Sequence, residues 1–272
     1  MYLKVIACEI VFREVCHLAA RAPHVVDVEF LPQGLHDHPA LGRQELQQRL
    51  DALPAGKYDA VLLGYGLCSS ILAGLRSAHT PLVVPRAHDC ITFFLGSKER
   101  YQDCFNNRPG TYYYTSGWLE YRTRRGDAAG YGGFLPAHSA AGQAQVYAQW
   151  VAKYGEEQAQ YLAETMTQWA ANYTHGVLIG FDFTRPLGLR EQVQQLCAER
   201  GWQYDELAGD LGLLRRWIDG DWAAEDFLVV PPGREIVATV DDAIIGLAPP
   251  ATDRGATPGI SATPGSPLPG PG

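Results

Sequence analysis

The sequence predicts an α/β protein of two Rossmann-like lobes with mostly parallel sheets and a disordered C-terminal tail. Three observations support this prediction. Short apolar runs alternate with segments of helical periodicity. Glycine and proline residues mark many of the boundaries between these segments. Residues 58–64 contain a continuous apolar run, 60–63, that ends at a glycine, which is typical of a strand buried on both faces of a parallel sheet.

The first half of the chain repeats this alternation four times. Apolar, β-prone runs predict strands at residues 2–7, 25–31, 58–64 and 81–85. Helical periodicity or helix-opening residues follow each of them, at residues 10–20, 41–53, 69–76 and 91–105. Strands joined in this way form a doubly wound parallel sheet, whose chemistry is expected beyond the carboxyl ends of the strands.

The second half predicts a further set of strands and helices. Residues 110–121 are aromatic and β-prone, and residues 122–141 have no periodicity and are interpreted as an excursion or lid. Helical segments at 144–173, 189–200 and 211–219 then alternate with strands at 176–181, 203–207 and 226–230. We therefore expect an N-terminal lobe over 1–121, an excursion over 122–143, a second lobe over 144–246 and a Pro/Gly-rich disordered tail over 247–272.

Composition excludes several classes of protein. The 272 residues are 46% hydrophobic and 19% charged, which is ordinary for a globular protein and excludes a mostly disordered or coiled-coil chain. A net charge of -8 argues against a general nucleic-acid or anionic-membrane surface. No apolar run approaches the roughly 18 residues that span a membrane, and the N-terminus shows no signal or transit peptide. We expect a cytoplasmic protein that binds a small molecule or a protein, with no nucleic acid or membrane partner.

Six cysteines without a CxxC pair argue against a disulfide framework in such a protein. Cys8, Cys68 and Cys90 each closely follow a predicted strand, so the predicted topology brings them to one edge of the sheet. Because thiolates are soft ligands, these three predict a site for zinc or an iron–sulfur cluster. The alternative is that they are small core residues at tight turns. The other three, Cys16, Cys104 and Cys197, fall within predicted helices and are interpreted as structural.

Residues 86–90, Arg-Ala-His-Asp-Cys, place a cation, an imidazole, a carboxylate and a thiol directly after a buried strand. Such density is costly without a role, so His88 and Asp89 are candidate catalytic residues. His88 would act as an acid–base group or ligand, with Asp89 or a backbone carbonyl fixing its tautomer. The alternative for Asp89 is a helix N-cap.

Two glycines and two cations are candidates for binding a ligand near the same strand ends. Gly64 and Gly66 begin a GxG turn, but Ser69 stands where a dinucleotide fingerprint requires a third glycine. We therefore expect the glycines to let the backbone approach a metal or ligand closely. Arg86 and Lys98 would hold a carboxylate or phosphate, and the alternative is a solvated helix face.

An aromatic run at 112–114 is followed by Trp118 and Tyr121. Such a run would wall a flat cofactor or a quaternary ammonium group. The alternative is that it forms core between the two lobes.

A set of short segments along the chain carries a family resemblance. They are Cys8 and residues 35–36, 64–68, 85–90, 95–97, 110–113 and 225–233. Together they resemble the family catalogued as domain of unknown function 1638, over about residues 1–236. The name carries no activity. Because members of that family occur in methanogens and in bacteria that use corrinoid-dependent methyltransferases, the resemblance implies an association with one-carbon metabolism.

The leading hypothesis is a cytoplasmic protein with zinc or an iron–sulfur cluster at Cys8, Cys68 and Cys90, acting in or beside methyl transfer. A corrinoid would be reached through a partner, either a corrinoid protein or a methyltransferase. One alternative is a non-enzymatic module that holds a corrinoid, a metal or a methyltransferase subunit. Another is a metal-free enzyme, similar to amino-acid racemases, in which Cys8 or Cys90 serve as acid–base thiols. The third thiol, Cys68, counts against that last mechanism because it is not required there.

Overall fold

The computed structural model describes residues 1–35, 38–67, 70–125 and 140–249. None of the helices in these ranges combines the length and apolarity that crossing a bilayer requires. The strands are β1 (Tyr2–Cys8), β2 (Val25–Leu31), β3 (Ala60–Gly64), β4 (Leu82–Pro85), β5 (Thr111–Tyr114), β6 (His175–Gly180), β7 (Gln203–Ala208), β8 (Phe227–Val230), β9 (Ile236–Ala238) and β10 (Ile245–Leu247). The helices are α1 (Phe12–Ala19), α2 (Pro39–Asp51), α3 (Ile91–Leu95), α4 (Lys98–Asn107), α5 (Ser116–Arg125), α6 (Ala140–Tyr154), α7 (Glu156–Ala170), α8 (Leu189–Arg200) and α9 (Gly212–Asp219).

The first sheet has the strand order β2-β1-β3-β4-β8. Its first four strands are parallel, and β8 is antiparallel to β4. Because β1 lies between β2 and β3, the chain changes direction across the sheet at the β1/β3 boundary. In open α/β sheets, ligands bind at the carboxyl ends of the strands at such a switch point.

The second sheet has the order β5-β6-β7 and is entirely parallel. The predicted class, α/β with mostly parallel sheets, is therefore confirmed. The predicted arrangement of two Rossmann-like lobes is not confirmed, because strand membership crosses the expected boundaries. β5 belongs to the second sheet although it lies before residue 121, and β8 pairs with β4 of the first sheet, in the register Leu82 with Val230 and Pro85 with Phe227.

Separate apolar cores cover the two faces of the first sheet. Side chains alternate between faces along a strand, so Val5 belongs to one core and Ile6 to the other. Helices α1, α3 and α9 cover the first face, and α2 with the β9–β10 hairpin covers the second. Ile179 of β6 is part of the first core, so the two sheets share buried apolar contacts. Trp217 of α9 is fully buried there and donates its indole N–H to the carbonyl oxygen of Val83, at 3.1 Å.

The helices differ from the sequence prediction mainly where glycine ends them. The predicted helix 91–105 is divided into α3 and α4 at Gly96, which has φ of 83°. The predicted helix 144–173 is divided into α6 and α7 at Gly155, with φ of 85°. Residues 70–74 form turns and residues 75–76 are irregular, where a helix was predicted, and β9 and β10 were not predicted.

The predicted excursion and tail fall largely outside the described residues. Helix α5 extends into the predicted excursion and α6 begins inside it, while residues 126–139 between them are not among those described. Leu247, where the tail was predicted to begin, is the last residue of β10. Residues 250–272 also lie outside the described ranges.

Candidate functional site

The carboxyl ends of the two sheets meet at one interface. After β1, a 3-10 helix (Glu9–Val11) packs against α5, which follows β5. After β4, the carbonyl oxygen of Phe94 accepts a hydrogen bond from the backbone N–H of Asp210, which follows β7, at 2.9 Å. His17 of α1 stacks on Phe183, which follows β6, with ring centroids 4.2 Å apart. The edges at which parallel sheets bind ligands therefore face each other.

Polar contacts also cross this interface. Arg13 of α1 contacts both carboxylate oxygens of Glu120 on α5, at 2.7 to 2.9 Å. Arg100 of α4 donates to the carbonyl oxygen of Ala208, the last residue of β7, at 2.6 Å. Bidentate, charge-assisted contacts such as that of Arg13 fix the orientation of the elements that carry them.

Two of the three predicted metal-binding cysteines line one pocket at the β1/β3 switch point. Cys8 is the last residue of β1, and Cys90 lies five residues after β4 ends. The residues that line this thiol pocket are Cys8, Ile10, Pro32, Gln33, Leu35, Gly64, Tyr65, Gly66, Cys90 and Trp118. The third predicted ligand, Cys68, lies outside the described residues.

Gly64 allows close packing of β3 against β1, and Gly66 allows the loops after β3 and β4 to pack with their backbones in contact. A Cβ atom at position 66 would lie 2.8 Å from the Cα atom of Asp89, and one at position 64 would lie 2.5 Å from the Cβ atom of Ala7. The backbone N–H of Leu67 also donates to the carbonyl oxygen of Ala87, at 2.8 Å. These close contacts are between segments of the chain, so the approach of the backbone to a metal or ligand stays a prediction. The contact at Gly66 brings the loop that carries Cys90 to the same pocket as Cys8.

Gln33 supplies the thiol pocket with a buried polar group that sequence reasoning missed. Its residue is only 6% exposed, and its side-chain oxygen has no hydrogen-bond partner among the described residues. Its backbone N–H donates to a carboxylate oxygen of buried Glu9, at 2.8 Å. A buried carbonyl oxygen without a partner is costly, so a ligand with a donor group would satisfy it. The available signal was the position of Gln33, two residues after β2 ends at the same sheet edge.

The donor set of the thiol pocket is suited to a soft metal but is incomplete in the described part of the chain. Cys8 and Cys90 offer two thiols, whereas a structural zinc site has four ligands and a catalytic one three. Within the ranges that the structure describes, no group of three or more His, Cys, Asp or Glu side chains is arranged to hold a metal ion. The residues present fit a metal site only if Cys68 completes it.

A second cavity, which we name the aromatic chamber, shares Trp118 with the thiol pocket. It has a volume of about 380 Å³. It is lined by Asp89, Ile91, Tyr101, Phe105, Arg108, Gly110, Thr111, Tyr112, Tyr113, Trp118, Asn172 and Tyr173. Since Asp89 lines the chamber and the next residue, Cys90, lines the thiol pocket, the two cavities are neighbours.

Asp89 is held firmly in the wall of the aromatic chamber. One carboxylate oxygen accepts the backbone N–H of Ile91 at 2.9 Å, and the other accepts the hydroxyl of Tyr101 at 2.8 Å. Burial raises the pKa of Asp89 above its usual value, and these hydrogen bonds oppose the shift. Burial likewise raises the pKa of Tyr113, on the same chamber wall, to about 12. Ile91 is the first residue of α3, whose N-cap residue is Cys90 and not Asp89, so the carboxylate of Asp89 bonds to the first turn from one position before the cap.

Three other predicted site residues line neither cavity. His88 is exposed. The guanidinium of Arg86 donates to the carbonyl oxygens of Ala224, Ala243 and Ile245, at 2.5 to 2.8 Å. The ammonium of Lys98 donates to the carbonyl oxygens of Glu225 and Asp242, at 3.3 and 3.2 Å. Arg86 and Lys98 thus anchor the segment that carries β8, β9 and β10, and their anion-binding role stays a prediction.

Glu14 is a second buried group that the sequence did not reveal. It is fully buried on α1, where one carboxylate oxygen accepts the hydroxyl of Ser116 on α5 at 3.2 Å. Its other oxygen has no partner among the described residues. Burial raises the pKa of Glu14 to about 7. The acid therefore lies within the interface between the two sheets and titrates near neutral pH.

Comparison with known proteins gives one match. The model of a family described as a protein of unknown function, DUF1638, matches residues 30–218, more than half of the chain. The matched segment begins in β2 and ends in α9, and it includes the loops after β3 and β4. No curated protein and no solved structure matches the chain.

Proposed function

The chain belongs to the DUF1638 family, and from its site geometry we propose that it binds zinc or an iron–sulfur cluster in the thiol pocket. Cys8, Cys90 and Cys68 would be the ligands. The observation that carries this proposal is that Cys8 and Cys90, 82 positions apart in the sequence, line one pocket at the switch point of the sheet. A cytoplasmic location and a small-molecule substrate are part of the same proposal.

The surroundings of the thiols support this function. The pocket wall is mostly apolar, with Ile10, Leu35 and Trp118 beside the thiols, and such a shell limits access of water to a metal site. With three cysteine ligands, a fourth coordination position would remain for substrate. When bound, the metal would keep a substrate thiol or selenol deprotonated or, as a cluster, pass an electron.

The chain's own groups would position the substrate. The side-chain oxygen of Gln33 would accept a hydrogen bond from it, because that oxygen is buried and has no partner among the described residues. Trp118 would close the pocket on the side of the aromatic chamber. A role in or beside methyl transfer, with a corrinoid on a partner protein, is the part of this proposal that rests on the family resemblance alone.

The second candidate is a metal-free enzyme that uses Cys8 and Cys90 as an acid–base pair. The observation that favours it is that the two thiols line one small pocket together with an available acceptor, Gln33. One thiolate would remove a proton from an acidic carbon of the substrate, and the other thiol would return a proton to that carbon. A non-enzymatic module that holds a metal or corrinoid would use the same cysteines without turnover.

Metal analysis of the protein purified without oxygen tests the proposal. About one zinc per chain without colour, or iron with sulfide and absorbance near roughly 400 nm, is the expected result. Cys8→Ser, Cys68→Ser and Cys90→Ser should lose the metal, whereas the matched variants Cys16→Ser and Cys104→Ser should keep it. A folded, metal-free wild type, or equal metal content in all five variants, would overturn the proposal. Incorporation of solvent deuterium into a substrate by metal-free protein would then support the second candidate.

A further inference from the structure

We infer that the aromatic chamber binds the cationic group of an organic amine, with Asp89 as counter-ion and the rings of Tyr113 and Trp118 in its walls. The inference deepens the proposed function, and rests on it, in treating the chamber as the substrate compartment beside the thiol pocket. It names a substrate class, a protonated amine attached to an apolar body. Position, charge and ring chemistry support it in turn.

The aromatic chamber lies beside the thiol pocket. Trp118 lines the chamber and the thiol pocket, and Asp89 and Cys90 are adjacent in sequence but line different cavities. A ligand whose amine lies against Asp89 would therefore lie next to the thiol pocket that Cys90 lines. The chamber volume of about 380 Å³ is within the usual range for small-molecule sites.

The charge of the chamber lining favours a cation. Asp89 and Arg108 are the charged residues among the described lining of the chamber. Arg108 is half exposed and forms an ion pair with the carboxylate of Asp205, so its charge is compensated at the rim. The hydrogen bonds that Asp89 receives come from neutral donors, which are the hydroxyl of Tyr101 and the backbone N–H groups of Ile91 and Thr92. His88, the adjacent residue, acts on this carboxylate through its charge, but no cation among the described residues is hydrogen-bonded to it.

An ammonium group would complement the carboxylate of Asp89 and the aromatic rings around it. A carboxylate has about four acceptor positions, and three donors of the chain are bonded to that of Asp89, so the group retains capacity for an ammonium N–H. The aromatic lining adds attraction, because ring faces bind cations electrostatically.

Calorimetric titration with benzylammonium and benzyl alcohol tests the inference, because the two probes share a ring and differ in charge at neutral pH. Wild-type protein should bind benzylammonium about tenfold or more tightly than benzyl alcohol, the scale of one close charge contact. Asp89→Asn should reduce the ratio to about two or less. Asp103→Asn is the matched control, since Asp103 is exposed on α4 outside the chamber lining and should leave the ratio unchanged.

Circular dichroism shows whether Asp89→Asn folds, and a second variant tests the inference if it does not. Trp118→Leu should weaken benzylammonium binding more than benzyl alcohol binding, because leucine keeps apolar contact but lacks the ring face. Equal affinity for the two probes in wild-type protein, or binding of neither, would overturn the inference. Metal content measured on the same samples distinguishes failure of the cation-binding inference from failure of the proposed metal site. Metal without cation preference overturns only this inference, and cation preference without metal overturns only the proposed metal site.

Discussion

A Cβ atom at position 117 would lie 1.9 Å from the carbonyl oxygen of Ile10. Gly117 belongs to the first turn of α5, after β5, and Ile10 belongs to the 3-10 helix after β1. Since the carbonyl and the Cβ position are both fixed by the backbone, no change of rotamer relieves such a clash. Glycine at this position is therefore what lets the carboxyl ends of the two sheets approach each other.

Gly117→Ala should push α5 away from the first sheet. We expect a loss of about 2–4 kcal/mol in the free energy of unfolding, the range for a buried steric conflict, measured by urea titration. Trp118 would move with α5, so the metal content and the binding of benzylammonium should fall as well. Gly180→Ala is the control, because a Cβ atom there would meet no atom within 4 Å. Equal stability of the two variants would contradict the expectation.

Ionisation of the buried Glu14 should make the folded protein less stable as the pH rises. Its pKa is raised from 4.5 to about 7 in the folded protein. Between these values the folded state keeps a proton that the unfolded state has lost, so the free energy of unfolding falls as pH rises. Above pH 7 the accumulated loss is at most about 3.5 kcal/mol, because a tenfold change in proton affinity corresponds to about 1.4 kcal/mol.

Glu14→Gln should remove this dependence, because a carboxamide has the same shape and does not ionise. Thermal unfolding at pH 8 should show a higher melting temperature than wild type, whereas at pH 4 the two should be similar. The exposed position Glu157 on α7 provides the control, and Glu157→Gln should follow wild type at both pH values. A Glu14→Gln variant that is less stable than wild type at pH 8 would count against this account.

Arg86→Met tests whether this side chain is structural. The variant leaves three carbonyl oxygens without their donor, including those of Ala243 and Ile245. We expect a loss of about 2–3 kcal/mol, with faster hydrogen exchange concentrated in β9 and β10. Arg190→Met is the control, because the ion pair of Arg190 with Glu206 is largely exposed and such pairs contribute little. Unchanged exchange in β9 and β10 would favour the ligand-binding role predicted for Arg86 from the sequence.

Gln33→Leu should have opposite effects on stability and binding. The side-chain oxygen of Gln33 is buried without a partner among the described residues, so an apolar side chain of similar size should raise the free energy of unfolding by about 1 kcal/mol. Ligand or metal binding should weaken, because the acceptor is lost. Urea titration and metal analysis of one preparation measure both effects. A variant that is less stable and binds equally well would show that Gln33 is only structural.

Local patterns in the sequence predicted most of the elements. The strand at residues 25–31 and the helix at 189–200 have the predicted bounds, because apolar spacing and flanking turn residues mark them. The convergence of Cys8 and Cys90 was also predictable, since carboxyl ends of parallel strands share one edge of a sheet. The role of Cys68 beside them stays a prediction, because Cys68 lies outside the described residues.

Long-range relationships left no local signal. Nothing near residues 227–230 indicates that β8 pairs antiparallel with β4, because that pairing is decided by the free edge of a distant strand. The burial of Glu14 and Gln33 depends on α5 and on the loop after β1, which no periodicity in their own segments reveals. Arg86 looked like an anion-binding group because its three carbonyl partners lie more than 130 residues away.

Because β8 pairs with β4, the first sheet should be completed later than the second sheet during folding. All strands of the second sheet lie between residue 111 and residue 208. The first sheet, in contrast, is complete only when β8, which ends at residue 230, pairs with β4. During synthesis, the later part of the chain can therefore complete its sheet while the earlier part still exposes an unpaired strand edge. Such edges invite association with other chains. A chain arrested shortly before residue 227 should therefore be prone to aggregate through β4.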